Sequence, residues 1–422
     1  MITCRIAQLL WLLCFSTLLQ AQDDTTSSPI DVHFQMTTVT QYHPAFPASY
    51  SGTNSMSDSS EAATSLTTTF FFTWHVSSNI LLRFDPELAG GAGLSRALGA
   101  AGFPNGETLR VGDPTPQAYV ARLYAQFLLQ PSANDELRIT AGTFSLSDFF
   151  DNNTYSHDPR GQFLNWSFMS SGAWDYAANT RGYTVGLVLD YTRGAFGARI
   201  SSALVPTTAN GPELEWDLSR GHSETVELQY RYDDDETPGT LRILGYLTHA
   251  NMGSYVQAVA EAQPGTAPSV VSTRQVGRTK YGVGVNLEHA LNPWLGLFAR
   301  AGWNDGANET WAFTEIDRSA TIGLLANGVH WGRKQDYVGV AVAVNGISEA
   351  HRIYLARGGL GFMVGDGALT YAEEIISEVY YRIHMHDQNF WVTPTYQLLM
   401  HPGYNADRGP VHVLPIRVHV EF

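Results

Sequence analysis

Cysteine is nearly missing from this chain. Cys4 and Cys14 are the only two, so beyond residue 14 there is no thiol nucleophile, thiolate metal site or disulfide framework. Lysine is equally scarce, with only Lys280 and Lys334. The remaining basic residues are arginines, whose planar, directional donors suit polar ligands and fixed carboxylate pairs. Basic residues are also few against acidic ones, 25 to 40, for a formal net charge of −15. That balance excludes nucleic acid as a partner, because such proteins need a basic surface. After residue 21 no apolar run reaches the ~20 residues a membrane-spanning helix needs. No linker or composition shift divides the remainder into separate domains.

What is present begins with a leader. Met1–Arg5 carries one positive charge, Ile6–Leu19 is almost wholly apolar, and Ala21 offers a small residue for cleavage. This layout predicts a secretory signal peptide over 1–21, then a short segment over 22–30 and a single domain over 31–422.

From residue 31 the pattern is alternation. Val32, Phe34, Met36, Thr38, Thr40 and Tyr42 share one strand face; His33, Gln35, Thr37 and Gln41 share the other. Period two marks a strand. It recurs at 66–76, 80–84, 119–129, 137–143, 183–191, 196–204, 226–232, 241–247, 281–287, 295–303, 320–326, 338–344, 375–385, 390–400 and 414–422. That makes about sixteen strands, an even number such as bacterial outer-membrane barrels have.

The connections discriminate further. Short turns at 77–78, 130–134, 192–195, 233–239, 290–293, 332–335 and 386–389 alternate with long loops. The loops fall at 44–64, 86–117, 146–182, 206–222, 251–278, 304–318, 346–373 and 401–410. Outer-membrane barrels have short turns at one end and long loops at the other. The fold class expected is therefore all-β, a transmembrane antiparallel up-and-down barrel.

The two faces agree with this. Arg83, Arg122, Arg138, Arg199, Arg231, Arg242, Arg300, Arg382 and Arg417 share the inner face with Asp85, Asp190, Glu227, Glu288, Glu374, Glu378 and Glu421. A charge facing lipid at the midplane costs ~2–4 kcal/mol, and a dry core could not hold so many. Tyr42, Trp74, Tyr119, Tyr183, Tyr191, Tyr232, Tyr281, Trp294, Trp303 and Tyr337 lie near strand ends, as interfacial girdles would. The final amphipathic strand ends on Phe422, the type of terminal aromatic that barrel-assembly machinery reads.

Six stretches carry a family likeness: QYHPAFPASYSG (41–52), NGETLRVGDPTPQAYVARLY (105–124), TAGTFSLSDFFDNNTYSHDPRGQFLNWS (140–167), FARAGWNDGANETWAFTEID (298–317), GDGALTYAEEIISEVYYRIH (365–384) and VHVLPIRVHVEF (411–422). Together they resemble the OprB-type carbohydrate-selective porins. The resemblance implies a sixteen-stranded outer-membrane barrel that passes sugars by facilitated diffusion.

The third long loop, 146–182, holds the richest chemistry. Its aromatics include Phe149, Phe150, Trp166, Trp174 and Tyr176, and its charges include Asp158, Arg160 and Asp175. Aromatic faces take the apolar side of sugar rings, while carboxylates and arginines take hydroxyls. The loop could fold inward as a constriction or lie outside as a cap. Arg83, Asp85, Arg122, Arg138, Arg231, Arg300, Glu378 and Arg382 are the wall candidates for contact with solute. The bland alternative is that they pair with one another and stiffen the barrel. Residues 303–311, mixing tryptophan and acids, could greet sugars at the mouth or bind divalent cations.

Other motifs carry little. Gly90–Gly93 lacks dinucleotide-binding spacing, and no GxSxG elbow is present. His384 and His386 lack a nearby third metal ligand. The reading is a porin without enzyme activity, cofactor or metal. Its expected partners are small sugars, outer-membrane lipid, lipopolysaccharide and the assembly machinery, with homo-oligomerisation open. Its expected place is the outer membrane of a Gram-negative bacterium. The alternatives are a general or anion-favouring porin, and a barrel enzyme or adhesin.

Overall fold

The computed structural model describes residues 29–108, 115–132, 134–232, 237–312, 314–385 and 389–422. The expected signal peptide and both cysteines lie outside the described residues. So do most of segment 22–30, His386, and parts of the turns at 130–134, 233–239 and 386–389.

Every expected strand forms. In chain order they are β1 (Ile30–His43), β2 (Glu61–Ser77), β3 (Ile80–Gly91), β4 (Gln117–Ser132), β5 (Asp135–Phe144) and β6 (Thr184–Arg193). Next come β7 (Phe196–Ala203), β8 (His222–Tyr232), β9 (Gly239–Met252), β10 (Gln275–Asn292), β11 (Leu295–Asn304) and β12 (Arg318–Gly328). The last are β13 (Arg333–Gly346), β14 (Glu374–His384), β15 (Phe390–Met400), β16 (Val411–Val413) and β17 (Ile416–Glu421). β16 and β17 are one stave broken at Leu414-Pro415, since both pair with β15. The barrel thus has sixteen staves.

Each stave pairs antiparallel with its chain neighbour, and β1 closes the barrel on β17 in the register Met36↔Val420. Closure leaves no unpaired edge in lipid, where each unsatisfied backbone group would be costly. Several staves run further toward the long loops than their alternation suggests. β3 continues past Phe84 to Gly91, with a register shift at Asp85/Pro86. Proline and two acids imitate a turn in sequence; here Asp85 and Glu87 point inward and are ion-paired.

Outward side chains are apolar and uncovered. Leu228, Ile243, Val283 and Ile322 are each more than 50% exposed. Burying such surface in lipid is worth ~25 cal/mol per Å². Tyr42, Trp74, Tyr191, Tyr281 and Trp303 are exposed with them. Tyr119 and Tyr183 differ from the girdle expectation. They turn inward, where both hydroxyls bond the Glu87 carboxylate, Tyr183 at 3.3 Å. A phenol offered a buried carboxylate gains a charge-assisted bond that lipid cannot supply.

Among the described residues the α-helices are short and confined to long loops: Trp166–Met169, Tyr255–Glu261 and Glu349–Ala356. Among the described residues no helix is long and apolar enough to cross a membrane.

Candidate functional site: a lumen narrowed by the third loop

The loop between β5 and β6 lies inside the barrel. It leaves β5 through a 3₁₀ turn, Leu146–Asp148, closed by a capping box between Ser145 and Asp148. Asn165 caps the helix Trp166–Met169 by accepting from the Ser167 N–H. Both turns satisfy backbone groups that would otherwise be orphaned. The rest of the loop bonds to the inner wall on many sides. The N–H groups of Leu164 and Asn165 donate to Glu378 on β14, at 2.7 and 2.8 Å. Arg417 on β17 donates to the carbonyls of Pro159 (2.5 Å) and Gln162 (2.7 Å). The Asp151 N–H reaches Glu227 on β8 at 2.7 Å, and the Thr154 N–H reaches Glu288 on β10 at 2.6 Å.

Asp151 is the central anchor. Its carboxylate pairs with Arg300 on β11 at 3.1 Å and accepts from Asn286 at 2.7 Å and the Ser171 N–H at 2.6 Å. Arg300 also donates to the carbonyls of Phe168 and Ser156. Arg160 fastens the loop on the opposite side. It meets Glu107 at 2.9 Å, Glu87 at 2.8 Å and Thr69 at 2.9 Å. Buried charges persist only when paired in this way.

The loop aromatics form a core rather than a row of open platforms. Phe150, Trp166, Trp174 and Tyr176 are all buried. Trp166 stacks between Phe103 (5.2 Å) and Tyr176 (6.2 Å), and Trp174 packs on Tyr176 at 5.0 Å. Phe149, against Phe144 and Tyr124, and Tyr155 keep partial exposure. A long inward loop must bury its own apolar surface to hold a shape, which accounts for these rings.

Inner-wall glycines let the loop press close. A Cβ at Gly302 would stand 2.3 Å from the Ser171 hydroxyl, and one at Gly339 would stand 2.9 Å from the Phe163 ring. Ala341 and Ala343 continue this smooth wall on β13, both buried.

The opposite wall is wet. Arg122, Tyr124 and Gln126 of β4 face inward and stay partly exposed. Arg83 pairs with Asp85 at 2.6 Å; Arg122 pairs with Asp85 at 3.5 Å and with Asp148 at 2.5 Å. Arg199 pairs with Asp190 at 2.9 Å and Glu227 at 2.7 Å. Across the lumen Arg382 has no carboxylate within 4.0 Å among the described residues; its guanidinium lies 4.3 Å from the Trp391 ring centre. A Cβ at Gly161 would stand 3.7 Å from the Arg382 guanidinium and 3.6 Å from the Asp158 carboxylate. Arg138 and Arg231 stand exposed near the short-turn end. Arg138 pairs with Glu136, and Arg231 donates to the Gly194 carbonyl.

Residues 303–311 roof the loop. Trp311 is buried, its indole N–H donating to the Pro206 carbonyl at 2.8 Å. Asp175 accepts from the N–H groups of Trp311 and Ala312 and lies 3.5 Å from Lys280. Lys280 is also 3.9 Å from Asp317, which meets His351 at 3.1 Å. Burial drives the Asp317 carboxyl upward, but His351 and Lys280 outweigh it and hold it below the ordinary aspartate value.

The structure therefore gathers Arg83, Asp85 and Arg122 on one wall, with Asp158 and Arg382 across from them. It turns Arg160, Arg300, Glu378, Trp174 and Asp175 to holding the loop. Tyr124 and Trp391 join the lumen without having been candidates, together with Asp148, one of the charges of the third loop. Strand parity marks Tyr124 and Trp391 as inward; Asp148 needs the capping geometry.

A family model, the carbohydrate-selective porin, OprB family, matches residues 70–422. The fold is similar to that of OprB from Pseudomonas putida in its high-pH structure, with TM-score 0.72, 17% identity, and 93% of this chain and 94% of that one covered. It is also similar to the outer-membrane channel DcaP of Acinetobacter baumannii, with TM-score 0.54, 10% identity, and coverage of 95% and 100%. No curated protein matches. With that match over most of its length and a closed barrel of sixteen staves around an inward loop, the chain belongs to the OprB family of carbohydrate-selective porins and is an outer-membrane sugar porin.

Proposed function

We propose that sugars cross beside the third loop, along the charged wall of β3–β8, and that Arg83, Arg122, Asp148, Asp158 and Arg382 contact them, while the buried Asp85 holds the two wall arginines in place. One observation carries this reading: the loop packs closely on the small residues of β10–β13, while Arg83, Arg122, Tyr124 and Gln126 on the other side stay partly exposed. Paired charges offer donors and acceptors to hydroxyls without a strong net field. Weak, exchangeable bonds of this kind let solute both enter and leave. The passage is passive and involves no catalysis or cofactor. The near balance of arginines and carboxylates favours neutral solutes over the anion-favouring alternative.

Export through the 1–21 leader from a Gram-negative cytoplasm and recognition of Phe422 by assembly machinery belong to the same reading. Phe422 supports it by its placement: it closes the barrel against Phe34, ring centres 6.2 Å apart, and is 59% exposed. Contact with lipopolysaccharide and assembly of several copies complete it. The test is single-channel conductance of the refolded protein in a planar bilayer with sugars added in turn. Saturable block by a sugar is expected. Current that no sugar alters would leave an unselective porin.

A further inference from the structure

On the outer face of the barrel, away from the lumen, three side chains of metal-ligating type converge. His222 on β8 is directly opposite His249 on β9 in the sheet register. Directly opposed side chains start ~5 Å apart at Cβ. Glu224 lies two residues beyond His222 and so shares its face. The inward residues of β8 are Ser223, Thr225 and Glu227, all buried. The three therefore point outward, with the exposed Val226 and Leu228 below them.

Their ligand atoms all lie within 4.8 Å of one another, and each residue is half-buried. The Leu218 carbonyl is 2.8 Å from His222 Nδ1. A carbonyl can only accept, so Nδ1 carries the proton and Nε2 keeps its lone pair. Fixing the distal nitrogen in this way is how metal-binding histidines are oriented. The free Nε2 points toward Glu224, 3.6 Å from its carboxylate, too far for a hydrogen bond. Neither Glu224 nor His249 has another side-chain hydrogen bond among the described residues. The two imidazoles stack at 4.7 Å. Three groups of ligand type thus gather within 4.8 Å, and the contact between them is the 3.6 Å approach of His222 Nε2 to the Glu224 carboxylate.

We infer that His222, Glu224 and His249 form a binding site for a divalent transition-metal ion of the zinc type. Two imidazoles and one carboxylate are a standard three-ligand set for Zn²⁺, with the fourth position left to water. Tetrahedral Zn²⁺ with ligands at ~2.0–2.2 Å needs donors ~3.3–3.6 Å apart. Small side-chain rotations close the present spacing to that value. Imidazole donors favour zinc-like ions over Mg²⁺ and Ca²⁺, which prefer all-oxygen sets. The ion would clip β8 to β9 beside the loop 206–222, at the rim reached from outside.

The test is calorimetric titration of the folded, chelator-stripped barrel in detergent with Zn²⁺ alone. One saturable equivalent is expected. His222→Ala and His249→Ala should each weaken it by about a hundredfold, at or above the ~10–100-fold loss seen for disturbed supporting groups. Heat-modifiable migration checks that each variant is folded. Co²⁺ loading should give the absorption bands of a four-coordinate ion in the parent and none in the H222A/H249A double variant. Absence of saturable Zn²⁺ binding, or equal affinity in the double variant, would overturn the site. Sugar block is expected to stay unchanged throughout, so this result stands apart from the channel reading.

Discussion

The two inner walls of the barrel are built from different residues. The β10–β13 wall presents Gly284, Gly302, Gly323, Gly339, Ala341 and Ala343, and the third loop rests on it. The β3–β8 wall presents Arg83, Asp85, Arg122, Tyr124, Asp190, Arg199 and Glu227, several of them in contact with solvent. The loop finds polar partners on several sides, with Glu227, Glu288, Arg300, Glu378 and Arg417 among them. Against the small residues of β10–β13 it also packs closely, and the passage we propose runs along the charged side. In that proposal the position of the channel follows from where the small residues lie as much as from where the charges lie.

The largest expected effect comes from releasing the loop. Asp151→Ala leaves Arg300 buried without its carboxylate, a change worth ~3–5 kcal/mol. Single-channel conductance should rise several-fold as the loop leaves the β10–β13 wall, and sugar block should vanish. Unchanged conductance would mean that the loop does not set the opening. Next, Arg382→Ala removes a lumen cation without breaking an ion pair. Loss of one charged hydrogen bond is worth ~1.5–3 kcal/mol, so the blocking constant for sugar should weaken about tenfold or more while conductance holds. An unaltered constant would remove Arg382 from the sugar path.

A pH titration separates roof from wall. Asp317 is held below the ordinary value of 3.8 in the folded protein. A depressed carboxyl stabilises the fold above its unfolded pKa and loses that contribution as pH falls through the folded one. The roof should therefore hold through the mildly acidic range and loosen only below about pH 4. Protease sensitivity of residues 304–318 against pH would show this, and loosening near pH 6 would contradict it. The smallest effect belongs to Arg138→Ala. Arg138 pairs with Glu136 and its side chain is 49% exposed, a kind of pair worth ~0–1 kcal/mol. Stability and sugar block should both stay nearly as they were.

The staves were legible in the sequence because lipid on one side and water or polar groups on the other impose a strict period of two. The alternation of short turns and long loops supplied the topology. Stave ends were less legible, since the polar stretch around Pro86 continues β3 on contacts made far away in the chain. The family likeness pointed to a sugar channel, but it did not say which arginines face open solvent. Arg160 and Arg83 look alike in sequence; only folding gives Arg160 Glu107 and Glu87 and leaves Arg83 beside the lumen. Trp174 and Tyr176 looked like sugar platforms, yet the loop uses them as its own core. His222 and His249 are far apart in the chain and meet only through sheet register.

The most direct test of the leaning loop uses the cysteine-free character of the chain beyond Cys14. Gln126→Cys on the wet wall and Ala341→Cys on the smooth wall are each exposed to a charged, membrane-impermeant thiol reagent while single-channel current is recorded. Rapid modification with a stepwise fall in current at residue 126, and none at residue 341, is the expected result. Equal reactivity at both positions, or reaction at 341 alone, would contradict a passage confined to the charged wall.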